Sequence, residues 1–359
     1  MTENEIILNF TGMWGDYRDD IISKYNEPWR QYHTMSHIKS LLDIFEAKYN
    51  SKEITLEEVE ILRFATVFHD VIYYPWNIKV DGEYILGKSN EELSADYFTN
   101  FWNTSSTSDY KHEVYTSIRN IILNTETHKV ENEIQRIFMK EDESILHSSN
   151  WTDILEWEKQ IRQEFNMAST KDYKKGRIAF LDSVLIHHDS NPLLYDLKNY
   201  VKAYKPRVGF YAGSFNPFHI GHLDIVNKAK QMFDKVVILT GQNPLKPKIS
   251  TEDFEERKLS IFRKTTCEIV FVDGLLADYL QERENEGNEE IFLIKGFRSS
   301  KDIEYEQVND KFSKGFYPNL KTVFLPSEPE LSHVSSSAIK AIKQIAKKKA
   351  KQFIPKNLF

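Results

Sequence analysis

From Arg207 onward, five short apolar runs alternate with five amphipathic segments, and that alternation admits few folds. The runs are RVGFYA (207–212), VVILT (236–240), EIVFV (268–272), IFLIK (291–295) and TVFLP (322–326). Each has strand length, and most lack the polar alternation of a half-exposed strand. A strand that is apolar along its length is buried on both faces, the mark of a parallel sheet with helices on either side. The spacing predicts helices over 220–233, 252–264, 274–284, 301–313 and 335–349. The expected fold is a Rossmann-like, doubly wound α/β domain that binds ligands at the carboxyl ends of its strands.

The first half is patterned differently. Ile38, Leu41, Leu42 and Phe45 fall at helical spacing, as do Leu56, Val59, Leu62, Ala65 and Val67. Further helices are expected over 90–103, 110–123, 130–140, 151–166, 171–187 and 192–204, with loops at 75–88 and 103–108. This predicts an all-α domain over 1–204 and the α/β domain over 205–359, divided at Lys205-Pro206. Charge divides the same way. Residues 205–359 carry 25 Lys and Arg against 20 Asp and Glu, and the remainder carries 22 against 34. The net charge of −7 describes neither half.

Several classes are excluded. Cys267 is the only cysteine, so there is no intrachain disulfide and no cysteine-based zinc site, and a buried, inert thiol is expected. The opening MTENEIILNF lacks the basic start and apolar run of a secretory leader, and no stretch nears the roughly 20 apolar residues of a membrane span. A cytoplasmic location is expected, with no membrane contact. The lysine-rich end KKKAKQFIPK reads as a solvated helix face, and no nucleic-acid partner is expected.

Two places carry chemistry. In the first half His33 and His37 stand four apart, His69-Asp70 follow an apolar helix, and His128 and Asp142 come later. Imidazole and carboxylate together suit a divalent metal. In the second half the first strand runs into GSFNPFHIGHLDIV. Gly213 and Ser214 make the turn, and His219-Ile220-Gly221-His222 opens a helix whose free N–H groups suit phosphate. Gly221 lets a nucleotide approach the backbone closely. The run is neither a Walker A loop nor GxGxxG.

The order YHTMSH, FHDVIYYPW, NEELSADYF, TETHK, DESIL resembles the HD superfamily of metal-dependent phosphohydrolases over about residues 10–200. That resemblance implies His37, His69, Asp70 and Asp142 as ligands of one divalent metal. It leaves His33 and His128 as candidates for a second metal or for phosphate, and Glu91 and Glu92 as second-shell or general-base candidates. The expected chemistry is metal-assisted hydrolysis of a phosphoester. The alternative is a domain that serves ligand sensing or assembly.

The HxGH run, with NPLKPK (243–248), DGLLADYL (273–280), IKGFRSSKDIEYE (294–306) and SHVSSSAIK (332–340), resembles the nucleotidyltransferase superfamily of that motif, and within it the phosphopantetheine adenylyltransferase family. The resemblance implies that AMP passes from ATP, with Mg²⁺, to a small phosphomonoester acceptor, 4′-phosphopantetheine. His222, Lys246, Arg298 and Ser214 are then the catalytic positions. Gly213, Ser214, His219, Gly221, His222, Gly296, Arg298, Glu306, Ser335, Ser336 and Ser337 would bind ATP. Ser214, Lys246, Leu275, Leu276 and Lys295 would receive the acceptor. The resemblance also implies a homo-oligomer. Asn216, Lys295 and Leu331 depart from the family's usual Asp, Arg and aromatic residue, which keeps nicotinamide mononucleotide open as the acceptor.

Overall fold

The computed structural model describes residues 17–77, 79–80, 83–104, 112–187, 191–241 and 251–358. Contacts divide the chain into two compact units. Unit 1 comprises residues 1–165 and 181–197, and unit 2 comprises 166–180 and 198–359. This differs from a single break at 204/205, because residues 166–180 and 198–204 group with the α/β part. Lys235, for example, donates to the Ala168 carbonyl, and the Asn166 amide lies 3.9 Å from Cys267 Sγ.

Unit 1 is helical: α1 (Tyr17–Tyr25), α2 (Met35–Asn50), α3 (Leu56–Phe68), then a two-stranded hairpin β1 (Lys79–Val80) and β2 (Glu83–Tyr84), α4 (Asn90–Thr104), α5 (His112–Asn124), α6 (Glu133–Asp142) and α7 (Trp151–Glu164). Two further helices follow, α8 (Thr170–His187) and α9 (Pro192–Ala203). The hairpin lies inside the expected loop 75–88 and corrects the all-α expectation. Helix α1 was not expected, because only Ile21 and Tyr25 of its nine residues are buried and the periodic signal is thin. The apolar positions of α2 and α3 meet in one core, with Ile38, Leu41, Leu42 and Phe45 beside Val59, Leu62 and Ala65. Thr55 caps α3: its hydroxyl accepts from the Glu58 amide, and the Glu58 carboxylate accepts from the Thr55 amide.

Unit 2 holds the expected parallel sheet. Its elements are β3 (Arg207–Gly213), α10 (Ile220–Lys230), β4 (Lys235–Gly241), α11 (Thr251–Thr265), β5 (Glu268–Val272), α12 (Leu276–Asn285), β6 (Glu290–Phe297), α13 (Ser300–Phe316), β7 (Lys321–Pro326), α14 (Ser336–Ile345) and α15 (Lys347–Ala350). The helix expected over 335–349 breaks at Ala346, whose φ of −144° and ψ of 72° are not helical. The strand order is β5-β4-β3-β6-β7, parallel throughout. Side chains alternate between two cores: Tyr211, Val236, Ile238 and Ile294 enter one, Val208, Phe210, Val237, Leu239 and Leu293 the other. The order reverses beside β3, where β4 lies on one side and β6 on the other. The crevice at the carboxyl ends of β3 and β6 is the switch point at which such sheets bind ligands. No described helix is long and apolar enough to cross a membrane.

Candidate active sites

The switch point of unit 2 opens as a cleft of about 330 Å³. Gly213, His219, Gly221, His222, Lys295, Gly296, Arg298, Glu306, Ser335 and Ser336 line it, ten residues expected at the site. Helix α10 begins here. His219 is its N-cap, and the two imidazoles stack with centroids 3.5 Å apart. The stack needs Gly221, since a Cβ there would lie 3.2 Å from the His219 ring. Gly296 is crowded too: a Cβ would meet Ile225 at 3.0 Å.

The His219 amide donates to His222 Nδ1 at 3.2 Å. An accepting Nδ1 on a neutral ring puts the proton on Nε2, so His222 is set as an N–H donor. Burial, and then the neighbouring Arg298, push the His219 pKa down to about 4. Burial, His219 and Arg298 push His222 well below the usual range. Both rings are therefore neutral at physiological pH, and the fixed cation is Arg298. It is held by Asp302, which accepts from its backbone amide at 3.1 Å and its Nε at 3.0 Å, and by the Val334 carbonyl, which accepts from Nη1 at 3.0 Å.

Two buried polar atoms of the cleft, His219 Nδ1 and Ser327 Oγ, lack a hydrogen-bond partner among the described residues. Buried orphans in one cavity mark a place where a ligand completes the bonding. Glu306 is meanwhile ion-paired with Lys295 at 3.0 Å. Ser335 caps α14 by accepting from the Ala338 amide, and the Ser336 hydroxyl donates to the Pro217 carbonyl.

Other expected positions fall elsewhere. Ser214 is exposed beside the cleft, and its carbonyl accepts from Arg257 at 3.1 Å. Ser337 is exposed and outside the lining, because it sits on the outer side of the α14 start. Leu275 is 53% exposed and Leu276 packs under the sheet, so neither reaches the cleft. Leu331 packs beside Val334 and Ile339. Lys246 lies outside the described residues. Sequence reasoning missed Asp302, Tyr305 and Ser327. Asp302 had a signal, since it stands four residues after Arg298 at a helix start.

In unit 1, ligand atoms of His37, His69 and Asp70 lie within 4.8 Å of one another. Asp142, from the end of α6, joins them: its Oδ1 is 3.0 Å from His37 Nε2 and 3.5 Å from His69 Nε2. All four expected ligands thus converge. Their donor set of imidazole and carboxylate would fit a divalent cation. His69 Nδ1 lies 2.9 Å from the Thr66 carbonyl and so carries a proton; on a neutral ring Nε2 would then offer a lone pair. That Nε2 is buried, with Asp70 Oδ2 3.1 Å and Asp142 Oδ1 3.5 Å away. A lone pair facing two carboxylates is repulsive until a proton or a metal ion sits between them. Burial pushes the His69 pKa down, but Asp70 and Asp142 outweigh it and hold it well above the usual range.

His33 is not in this group. Its Nδ1 lies 2.7 Å from Glu164 Oε2, and its ring stacks on Tyr73 at 4.1 Å. Glu164 Oε1 accepts from the amides of Gln31, Tyr32 and His33, and Oε2 accepts from the Tyr73 hydroxyl. Against burial, which raises it, His33 and these hydrogen bonds bring the Glu164 pKa down to about 2. Buried Arg30 donates to the carbonyls of His33, Asp70 and Val71, tying the loop after α3 to the segment before α2. Sequence reasoning missed Arg30, Tyr73 and Glu164, because each acts on backbone groups or partners distant in sequence. His128 takes a positive φ of 53° and pairs with Glu143, apart from the metal group. Glu92 is used in capping: its carboxylate accepts from the Ser89 amide while the Ser89 hydroxyl accepts from its own. Glu91 is half-buried, and burial raises its pKa.

Comparison with known proteins finds a cytidylyltransferase-like family model over residues 210–342. The phosphopantetheine adenylyltransferase of Cytophaga hutchinsonii is 36% identical over 138 residues, 38% of this chain and 89% of the relative. That of Haemophilus ducreyi is 38% identical over 37% of this chain and 80% of the relative. A solved bifunctional NMN adenylyltransferase/ADP ribose pyrophosphatase from Francisella tularensis aligns over 42% of this chain and 44% of that one, at 18% identity and a TM-score of 0.31, too loose a likeness to carry weight. The phosphohydrolase reading of unit 1 rests on its own geometry.

Proposed function

We infer, for a chain that belongs through its α/β unit to the phosphopantetheine adenylyltransferase family, that this unit transfers AMP from ATP to 4′-phosphopantetheine, giving dephospho-CoA and pyrophosphate. The observation that carries the reading is His222, its Nδ1 accepting from the His219 amide, beside Arg298 held by Asp302 in the switch-point cleft. An acceptor phosphate oxygen attacks the α-phosphorus in line, and the bond to pyrophosphate breaks. No covalent enzyme intermediate is needed. The protein positions the reactants and meets the charge that builds on the transferring phosphates, as in phosphoryl transfer generally. ATP arrives as its Mg²⁺ complex. The turn at Gly213, the start of α10 and the α14 serines receive its phosphates, Glu306 its ribose, and Lys295 the acceptor phosphate. Pyrophosphate release from ATP with a panel of acceptors tests this. Release with 4′-phosphopantetheine is expected; release with nicotinamide mononucleotide instead would reassign the acceptor.

A second reading concerns unit 1, supported by the convergence of His37, His69, Asp70 and Asp142. We propose that it hydrolyses a phosphoester. A divalent cation on these four residues would supply Lewis acidity and an acidified water. His33, oriented by Glu164 and stacked on Tyr73, holds a proton on Nε2 for the leaving oxygen. Metal analysis of the wild type and of a His69→Ala/Asp70→Ala variant, with a phosphatase screen, tests it. A metal-free wild type without hydrolysis would leave the sensing or assembly alternative.

The homo-oligomer also stands as a proposal. Helix α13 leaves Tyr305, Val308, Phe312 and Phe316 more than half exposed along one face.

A further inference from the structure

A second cavity in unit 1, of about 620 Å³, shares one residue with the metal group, His37. Its wall is rich in uncharged hydrogen-bonding groups: the hydroxyls of Thr34, Ser36, Ser40, Ser144 and Ser148, and the Gln160 amide. Leu41, Ile44 and Ile145 supply an apolar part. No lysine or arginine lines it among the described residues. Two carboxylates do. Glu141 is paired with Lys48 at 3.1 Å, whereas Asp153 has no ion-pair partner among the described residues.

A site for an anionic group is ordinarily built with Arg or Lys, since a buried or half-buried anion needs paired donors. This cavity offers the opposite. Its hydroxyls and amide match a ligand rich in hydroxyl or amide groups, and Asp153 repels a second anion. Resting on the phosphohydrolase reading of the metal group, we propose that the cavity receives the leaving alcohol of the substrate. It selects a phosphomonoester whose alcohol is uncharged and polyhydroxylated, and it rejects esters that carry a further anionic group.

The matched probes are sorbitol 6-phosphate and 6-phosphogluconate, open-chain six-carbon polyol phosphates that differ in a CH₂OH against a carboxylate at C1. With the full chain loaded with Mn²⁺, kcat/KM for sorbitol 6-phosphate should exceed that for 6-phosphogluconate by roughly threefold, the effect of one solvent-screened carboxylate such as the exposed Asp153. Ser144, on the exposed rim, can be made arginine with little threat to folding. Ser144→Arg should narrow or reverse the preference by supplying the missing cation, and Ser144→Ala should keep it. Saturation-transfer NMR reads binding without turnover. Transfer to the sugar carbons of sorbitol 6-phosphate is expected in the wild type and should fall in Ser144→Arg. Equal kinetic preference, or sugar transfer unaltered by Ser144→Arg, overturns the cavity assignment. Failure of the metal-loaded chain to hydrolyse p-nitrophenyl phosphate would instead overturn the hydrolase reading. The NMR contrast judges the cavity in either case.

Discussion

At the scale of single residues, the two sites handle protons in opposite ways. In unit 2 the histidines are kept neutral by burial and by Arg298, so transferase activity should hold level from pH 8 through pH 6 and decline only toward pH 4 to 5. A pH–rate profile of pyrophosphate release checks this; a limb near pH 6.5 would mean an ordinary imidazole. The same depression sets a stability trend. His219 binds its proton in the unfolded chain near 6.5 but in the folded one only near 4, so stability should fall as pH drops through that window. Glu164 behaves as a depressed carboxylate: its contribution is full above about pH 4.5 and is lost as pH falls toward 2. Replacing His222 by alanine should cut kcat/KM for transfer by roughly 10²–10³, the usual loss for one preorganised donor. The candidate histidines were legible because HxGH follows a strand and His69-Asp70 end an apolar helix. The residues that orient them were not. Glu164 meets amides 131 to 133 positions away, and no local pattern encodes such a meeting.

At the scale of elements, what was legible was periodicity. All five strands and four of the five expected helices of the α/β part lie where the alternation put them, within a few residues at the ends; the fifth is divided into α14 and α15. The failures share a cause: α1 and β2 bury too little to leave a pattern, and the last helix breaks at one residue with no apolar signal. Caps offer a direct test. Ser335→Ala removes the acceptor for the Ala338 amide and should cost about 1 kcal/mol of stability. Because Ser335 and Ser336 face the cleft, KM for ATP should rise as well, read by thermal melts beside steady-state kinetics. Helix α13 carries the other test. Its exposed positions follow one another by three, four and four residues, a continuous apolar stripe. Light scattering should find an oligomer, and Phe312→Glu should lower its mass by placing a charge in the middle of that stripe.

At the scale of the whole molecule, the two proposed sites lie in separate units, and each activity should survive loss of the other. His69→Ala should abolish metal uptake and hydrolysis while leaving pyrophosphate release unchanged, and His222→Ala should do the reverse. Elemental analysis with both assays on each variant checks this; joint loss in a folded variant would contradict two independent sites. The charge asymmetry fits the division, with the cationic half holding the proposed phosphate-binding turn and the acidic half the proposed cation-binding group. One consequence concerns synthesis. A chain emerging from the ribosome presents all four proposed ligands once Asp142 is out, yet the amides of residues 31–33 stay unmet until α7 delivers Glu164. Metal captured during that interval would meet its ligands before the proton donor is fastened, so the nascent unit should gain affinity for the ion earlier than it gains catalytic competence.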